Sequence, residues 1–334
     1  MLLKSLGLSE LGGGINLVDI GSSGSLDRYW AALFPWLNVY AFDPNEAECQ
    51  RLAGLSHPFA SATYLPYAIA GSTGTFLLYQ TRDPFCWSLL EPDQARWSRF
   101  GLGDRFQVDA ITQIQAMPLN AVPQINAIDV DVVKSDTQGL ELPILSNALQ
   151  QVNQAFVIEV ETGFTQNYKQ ETTFWQISQF LEEQGFRLFD INPHHRVARK
   201  NQFQQRTRYP EILWCESLWL KDYLLLAHQG SFNLSREKAW KVLLLCANHG
   251  CIDYGFELAT LFAHHQLLSQ GELQQLEHPS AWRLPLQNGL GVRFKRFLQA
   301  GLNWVPNRYL RQTAQVLLEA THTEHPLKQW FNRM

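Results

Sequence analysis

Residues 16–30, NLVDIGSSGSLDRYW, decide how the chain is read. A mostly apolar run enters Asp19, Ile20 and Gly21. Ser22 and Ser23 then separate that glycine from Gly24. A helical pattern follows, with Leu26, Tyr29, Trp30 and Leu33 spaced as one apolar stripe before Pro35. The stretch predicts strand, tight turn and helix. Such a turn aims backbone N–H groups and the positive end of a helix dipole at one spot, which suits a carboxylate or a phosphate. Gly21 and Gly24 fit positions where a side chain would block a ligand or where φ must be positive.

Outward from this turn, short apolar runs alternate with helical patterns up to about Leu220, which predicts an α/β fold with a parallel sheet covered on both faces. INLVDI is the first strand and NVYAFD the second, ending in Asp43. EAECQRLAGL reads as a helix, ATYLPYAIA as the third strand, and GTFLLYQT as an added strand after the turn GSTG. VDAITQI reads as a helix or an edge segment. IDVDVVKSD is the fourth strand, and LELPILSNAL is its helix, with Pro143 tolerated in the first turn. QAFVIEVE is the fifth strand, and TTFWQISQFLEEQGF is an amphipathic helix closed by Gly185. FRLFDIN and EILWCESLWLK, with no helix between them, are expected to pair antiparallel. From Asp222 the texture is helical alone, as in SREKAWKVLLLCANHG, so the chain divides into residues 1–221 and an α-helical unit at 222–334.

Composition sets outer limits. The 334 residues are 46% hydrophobic and carry a net charge of −4, so no global field recruits nucleic acid or an anionic membrane. Five scattered cysteines, an odd number, fit reduced thiols and a cytoplasmic location better than a disulfide framework. MLLKSLGLSELGGG lacks the continuous apolar core of a signal peptide, and LWLKDYLLLA is interrupted by Lys221 and Asp222, so no transmembrane segment is expected.

An anion cradle above Gly21 and a carboxylate at Asp43, placed to accept both hydroxyls of a ribose, together imply an adenosine-like ligand. A dinucleotide favours G-x-G-x-x-G, whereas this turn reads GSSGS. S-adenosylmethionine presents an amino-acid end instead, whose ammonium suits Asp19. In DVVKSDTQGLELPIL, Val130, Val132, Lys134 and Asp136 alternate onto one side of the fourth strand. A lysine inside a covered sheet needs a partner, and Glu159 on the next strand is the candidate. Asp136 ends a central strand beside the crevice where open α/β sheets bind ligands.

The series VDIGSSGS, AFDPNE, YAIAGSTGTFLLY, VVKSDTQGLELPILSNA, FVIEVE, FLEEQGFRLFDI and LWCESLWLK resembles the FkbM-type S-adenosylmethionine-dependent methyltransferases, from Asn16 to Lys221. The resemblance implies a Rossmann-like, seven-stranded, mostly parallel sheet of order 3-2-1-4-5-7-6 with its last strand antiparallel. It implies S-adenosyl-L-methionine as methyl donor and a hydroxyl of a sugar, glycan or natural product as acceptor. Carried over by position, Asp19, Gly21, Ser22, Ser23 and Gly24 match the cofactor loop, Asp43 the acidic residue of the second strand end, and Asp136 the aspartate of the fourth-strand motif. Ala68 joins them as a cofactor contact. The sequence departs by having Asp43 where glutamate is commoner, and Ser23 and Ser25 where Asn or Gly is frequent. The helical unit lies outside the resemblance.

Removal of the acceptor proton falls first to Asp136, then to Glu159 or Glu161, with His194 a further candidate base. Asp136 reads equally well as a helix N-cap before TQGLEL, and Glu159 as the buried partner of Lys134. The basic loop NPHHRVARKNQFQQRTRY is either solvated or recognises an anionic acceptor, and Trp87 either walls the pocket or packs. Cys246, His249 and Cys251 read as core, and no metal site is assigned. The competing readings are an NAD-dependent oxidoreductase and a non-catalytic interaction protein with a helical partner-binding module.

Overall fold

The strand that ends at Gly21 lies inside a seven-stranded sheet. The computed structural model describes residues 3, 6–7, 9–22, 26, 28–192 and 195–284. In chain order the strands are β1 (Ile15–Ile20), β2 (Leu37–Phe42), β3 (Ser61–Leu65), β4 (Ala68–Ile69), β5 (Gly74–Thr81) and β6 (Val108–Met117). They continue as β7 (Val132–Ser135), β8 (Val157–Gly163), β9 (Phe186–Asn192), β10 (Arg196–Val197), β11 (Glu211–Ile212) and β12 (Trp214–Lys221). The main sheet runs β3-β2-β1-β7-β8-β12-β9, with β12 antiparallel to both its neighbours and the other pairs parallel. Numbered over all twelve strands, this differs from 3-2-1-4-5-7-6 because five strands belong to two smaller sheets, β4-β6-β5 and β10-β11.

Strands covered on both faces become near-continuous runs of branched apolar residues, and Val18, Ile20, Val132, Val133, Val157, Ile158 and Val160 are all buried. The helices are α1 (Glu46–Ala53), α2 (Gln94–Trp97), α3 (Pro123–Asn126), α4 (Glu141–Asn147), α5 (Leu149–Gln154), α6 (Phe174–Glu183), α7 (Tyr223–His228), α8 (Arg236–His249), α9 (Ile252–His264) and α10 (Gln270–Leu276). Ile144 and Leu145 of α4, Val152 of α5, and Ile177 and Leu181 of α6 share one core with Val18, Ile20, Val133 and Ile158.

The opposite face is closed differently from the expectation. Instead of a full helix after Ser25, the described chain forms a 3-10 turn, Arg28–Ala32, followed by a second at Phe34–Trp36. Helix α8 packs against the first of these turns and is buried from Lys238 to Asn248 on every side, the mark of an interior helix. Its two lysines are anchored. Asp131 is fully buried, with Lys238 Nζ 2.7 Å from one carboxylate oxygen and Lys241 Nζ 2.8 Å from the other, while Asn16 N–H donates at 2.8 Å. Helices α7–α10 thus belong to the unit that holds the sheet, Met1–Trp282.

A further segment differs from its sequence pattern. VDAITQI is neither a helix nor an edge segment, because it belongs to β6, which lies between β4 and β5 and pairs along its length with β5 (GTFLLYQT). Most of β6 faces solvent, whereas in β5 only Thr75 and Leu77 are exposed. Among the described residues no helix is long and apolar enough to cross a membrane.

Candidate active site

Strand register lines up two rows of side chains on the face that α8 covers. The lower row is Asp19, Lys134 and Glu159, paired across β1, β7 and β8. Two residues on along each strand come Gly21, Asp136 and Glu161, with Glu216 of β12 and Asn192 of β9 in register beside Glu161. Continuing the β1–β2 register brings Asp43 next to Gly21. The upper row therefore runs along the carboxyl ends of the parallel strands, the place where such sheets bind ligands.

Above it lies a cavity of about 310 Å³ lined by Gly21, Asp43, Ala68, Trp87, Asp136, Gln138, Glu161, Tyr168 and His195, among others. This gathers Gly21, Asp43, Ala68 and Asp136 around one space and adds Glu161. Asp19 and Glu159 are not in its wall. Asp19 is 5% exposed and lies 3.6 Å from Lys134 Nζ. Glu159 accepts from Tyr29 Oη at 2.5 Å and lies 3.9 Å from His249 Nδ1, so α8 reaches it from below the cavity floor. Burial pushes the His249 imidazole down to about 4, so it is neutral at physiological pH. Among the described residues Cys246, His249 and Cys251 form no metal-ligating group, and the two cysteines are free.

The glycine turn is tighter than a simple cradle. Gly21 has φ +84°, and a Cβ there would sit 1.9 Å from the Asp136 carbonyl oxygen, so β7 itself demands glycine. The N–H groups of Gly21 and Ser22 both donate to Phe42 O, at 2.9 and 3.0 Å, and so are spent on β2. Ser22 Oγ, by contrast, is buried with no hydrogen-bond partner among the described residues. Ser23, Gly24 and His194 lie outside the described residues.

Asp136 is not a helix cap. Helix α4 starts five residues later, at Glu141, and its N-cap Leu140 has no side-chain cap. The turn between is tied by Glu141, whose Oε1 accepts from Thr137 N–H (2.9 Å), Thr137 Oγ1 (3.0 Å) and Gly139 N–H (3.1 Å). The turn forces Gln138 into the left-handed region, φ +58°. That aims its side-chain amide at the acids: Nε2 donates to Asp136 Oδ1 at 2.7 Å and to Glu161 Oε1 at 2.8 Å. Tyr168 Oη sits 2.8 Å from Gln138 Oε1, which fixes the amide orientation.

Burial sets the protonation of this region. It raises the Asp136 carboxyl, against the pull of Lys134, and it raises Glu161 well above the usual range, with the Asp136 charge adding to the effect. Asp43 is pushed up to about 6 by burial despite the Asn45 N–H bonded at 2.7 Å, and Glu141 to about 8. Glu216 is held below the usual range by the neighbouring His195 imidazole.

Residues 27–188 match the family model for the methyltransferase FkbM domain. The chain carries an FkbM methyltransferase domain. Within the FkbM domain fall Asp43, Ala68, Asp136, Gln138 and Glu161, whereas Gly21 precedes it and His195 and Glu216 follow it. Two solved structures resemble the chain. Methyltransferase FkbM from Methylobacillus flagellatus KT is 11% identical with a TM-score of 0.34, over 61% of this chain and 43% of that one. A Streptococcus pneumoniae protein, Sp1610, described as a tRNA (m1A22) methyltransferase, is 11% identical with a TM-score of 0.31, over 92% and 90%. The chain thus spans less than half the length of the first. No curated protein matches.

Gln138 and His195 of the wall, and Glu216 beside them, carry no individual role in the sequence pattern. Gln138 stands inside the quoted KSDTQGLE motif, but only the left-handed backbone reveals its role. Glu216 meets Glu161 through the register of β12 with β8, and His195 reaches them from the segment that leads into β10. Within the basic loop, Arg199 pairs with Glu211, and Lys200 lies 3.9 Å from Asp104. Those charges are partly answered from within.

Proposed function

We propose that the protein is an S-adenosylmethionine-dependent O-methyltransferase acting on a hydroxyl of a sugar, glycan or natural-product acceptor. The observation that carries this reading is the row Asp43, Gly21, Asp136 and Glu161 at the strand ends beneath one cavity. The residues fit the donor: a buried carboxylate, Asp43, stands where a ribose is held, and the buried Ser22 hydroxyl offers an uncommitted donor beside it. When bound, S-adenosylmethionine supplies a methyl group on a positively charged sulfur.

The chain's own residues do the rest. Asp43 accepts the ribose hydroxyls, and Ala68 packs against the donor from β4. Asp136 orients the acceptor hydroxyl and takes its proton, while Gln138 holds the carboxylate in place. A carboxylate raised by burial is a better base than one in water, and burial is the largest influence on Asp136. Trp87 walls the acceptor side. Residues 1–221 carry these groups, and helix α8 of the segment 222–334 backs the sheet beneath them. The division at 221/222 concerns role alone, since α7–α10 share one compact unit with the sheet, and a cytoplasmic location belongs to the same proposal.

The test is transfer of a labelled methyl group from S-adenosylmethionine to a fraction of cell extract, followed by identification of the labelled product. Label on an oxygen of a hydroxylated small molecule or glycan is the expected result. Label on nitrogen, or none in any fraction, overturns the proposal.

A further inference from the structure

Glu161, His195 and Glu216 each offer one ligand atom, and these three atoms lie within 4.8 Å of one another. They come from three separate places: β8, the loop that leads into β10, and β12. An ion about 2.0–2.2 Å from each ligand needs ligand atoms roughly 3–4.4 Å apart. His195 Nε2 and Glu216 Oε1 stand at 3.6 Å, too long for a hydrogen bond and close to the separation that two ligands of one ion require.

The imidazole nitrogen is the observation that separates this group from an ordinary acidic cluster. Among the described residues the buried His195 Nε2 atom has no hydrogen-bond partner, Glu216 Oε1 at 3.6 Å being its nearest acid, although a buried polar atom normally finds one. The ring cannot easily turn away, because it stacks on Trp214 with centroids 4.7 Å apart and planes 17° from parallel. Each carboxylate is held as well. Gln138 Nε2 donates to Glu161 at 2.8 Å, and Asn192 Nδ2 donates to Glu216 Oε2 at 2.9 Å, leaving Oε1 toward the histidine. Ligands steered by second partners are characteristic of metal sites. Asp136 adds a further carboxyl group beside Glu161, the two sharing the Gln138 amide.

We propose that Glu161, His195 and Glu216 bind one divalent cation of the manganese or zinc class, for which a mixed imidazole and carboxylate set is suited. Glu161 and His195 line the cavity, so the ion faces the acceptor space. There it ligates an acceptor oxygen and brings the hydroxyl to Asp136. That role rests on the methyltransferase reading, whereas the site itself does not.

The experiment titrates Mn²⁺ alone into the metal-stripped full chain, without donor or acceptor, by calorimetry and electron paramagnetic resonance. One saturable site per chain is expected, with nitrogen coupling from a single imidazole in the resonance spectrum. His195→Ala should remove that coupling, and His195→Ala and Glu216→Gln should each weaken binding at least about tenfold. Circular dichroism of the metal-free variants checks that they fold; a variant that does not fold is replaced by His195→Gln, read for the same loss of coupling. Absence of a saturable site, or binding and coupling unchanged in these variants, overturns the proposal. S-adenosylhomocysteine binding is measured in parallel in the presence of chelator. Mn²⁺ binding without it keeps the metal site and removes the donor reading, and the reverse result removes the metal site alone.

Discussion

Asp136 and Glu161 share one hydrogen-bond donor: Gln138 Nε2 lies 2.7 Å from the first carboxylate and 2.8 Å from the second. One amide group therefore positions two acids on adjacent strands, and it can do so only because the TQG turn holds Gln138 at a positive φ. The pair joins the fourth-strand motif to the fifth strand and places both acids under the same cavity.

If Asp136 takes the acceptor proton, Asp136→Asn removes the base but keeps the shape and the bond to Gln138. The methyl-transfer rate should fall about 10²–10⁴-fold, the usual worth of a positioned base. Affinity for S-adenosylhomocysteine should stay within about twofold. Single-turnover transfer and calorimetry on the same variant check both numbers, and full activity would return Asp136 to a structural role.

Asp43 is raised to about 6, so it becomes protonated as pH falls below that value, and if it holds the donor's ribose that acceptor is lost. S-adenosylhomocysteine affinity should be level above pH 7 and weaken toward about tenfold per unit well below pH 6. In Asp43→Asn the affinity should be low and nearly independent of pH over the same interval. Titrations at half-unit steps from pH 5 to 8 check the profile.

Glu141 is buried and raised to about 8, against an ordinary value of 4.5, so it is mainly protonated in the folded protein at neutral pH. The sign follows: its contribution to stability is greatest below about pH 4.5 and is lost as pH rises through about 8. Glu141→Gln, permanently neutral, should unfold near the wild-type temperature at pH 7 and gain on it above pH 8. Glu141→Ala should cost about 2–4 kcal/mol, because Thr137 and Gly139 lose their acceptor. Thermal unfolding across pH distinguishes the two.

Asp131 is fully buried between Lys238 and Lys241. Asp131→Ala takes the carboxylate from the buried Lys241 and leaves Lys238 only Asp129, at 3.1 Å, and should cost about 3–5 kcal/mol. Replacing Asp131, Lys238 and Lys241 together by apolar residues of similar size should cost much less, since the desolvation penalty disappears with the charges. Denaturant unfolding of the two variants checks the difference.

These residues also mark what sequence can and cannot carry. β1, β2, β7 and β8 announce themselves through runs of branched apolar residues bounded by Gly21, Asp43 and Asp136, because strands covered on both faces admit little else. A helix after Ser25 had equally good periodicity, but the space beside β1 is taken by α8, and Leu26, Trp30 and Leu33 are buried around 3-10 turns instead. Nothing local in residues 26–33 encodes a helix that arrives two hundred positions later. The pairing of Lys134 is similar. The pleat put it inside the sheet, yet register offers it Asp19 on one side and Glu159 on the other, and the distance to Asp19, 3.6 Å, follows from packing. VDAITQI alternates weakly because most of β6 is exposed, so its strand character comes from pairing with β5. The meeting of Glu161 with His195 and Glu216 depends on an antiparallel last strand sliding into register, a long-range event with no signature in any one segment.

The central claim is that the wall formed by Asp43, Gly21 and Asp136 holds a methyl donor, and the most direct measurement is calorimetric titration of the full chain with S-adenosylhomocysteine, beside NAD and the Asp43→Ala variant. If the wall holds the donor, S-adenosylhomocysteine fills one site per chain, NAD fills none, and Asp43→Ala loses that site. No binding of S-adenosylhomocysteine, or equal binding in the variant, would contradict that claim.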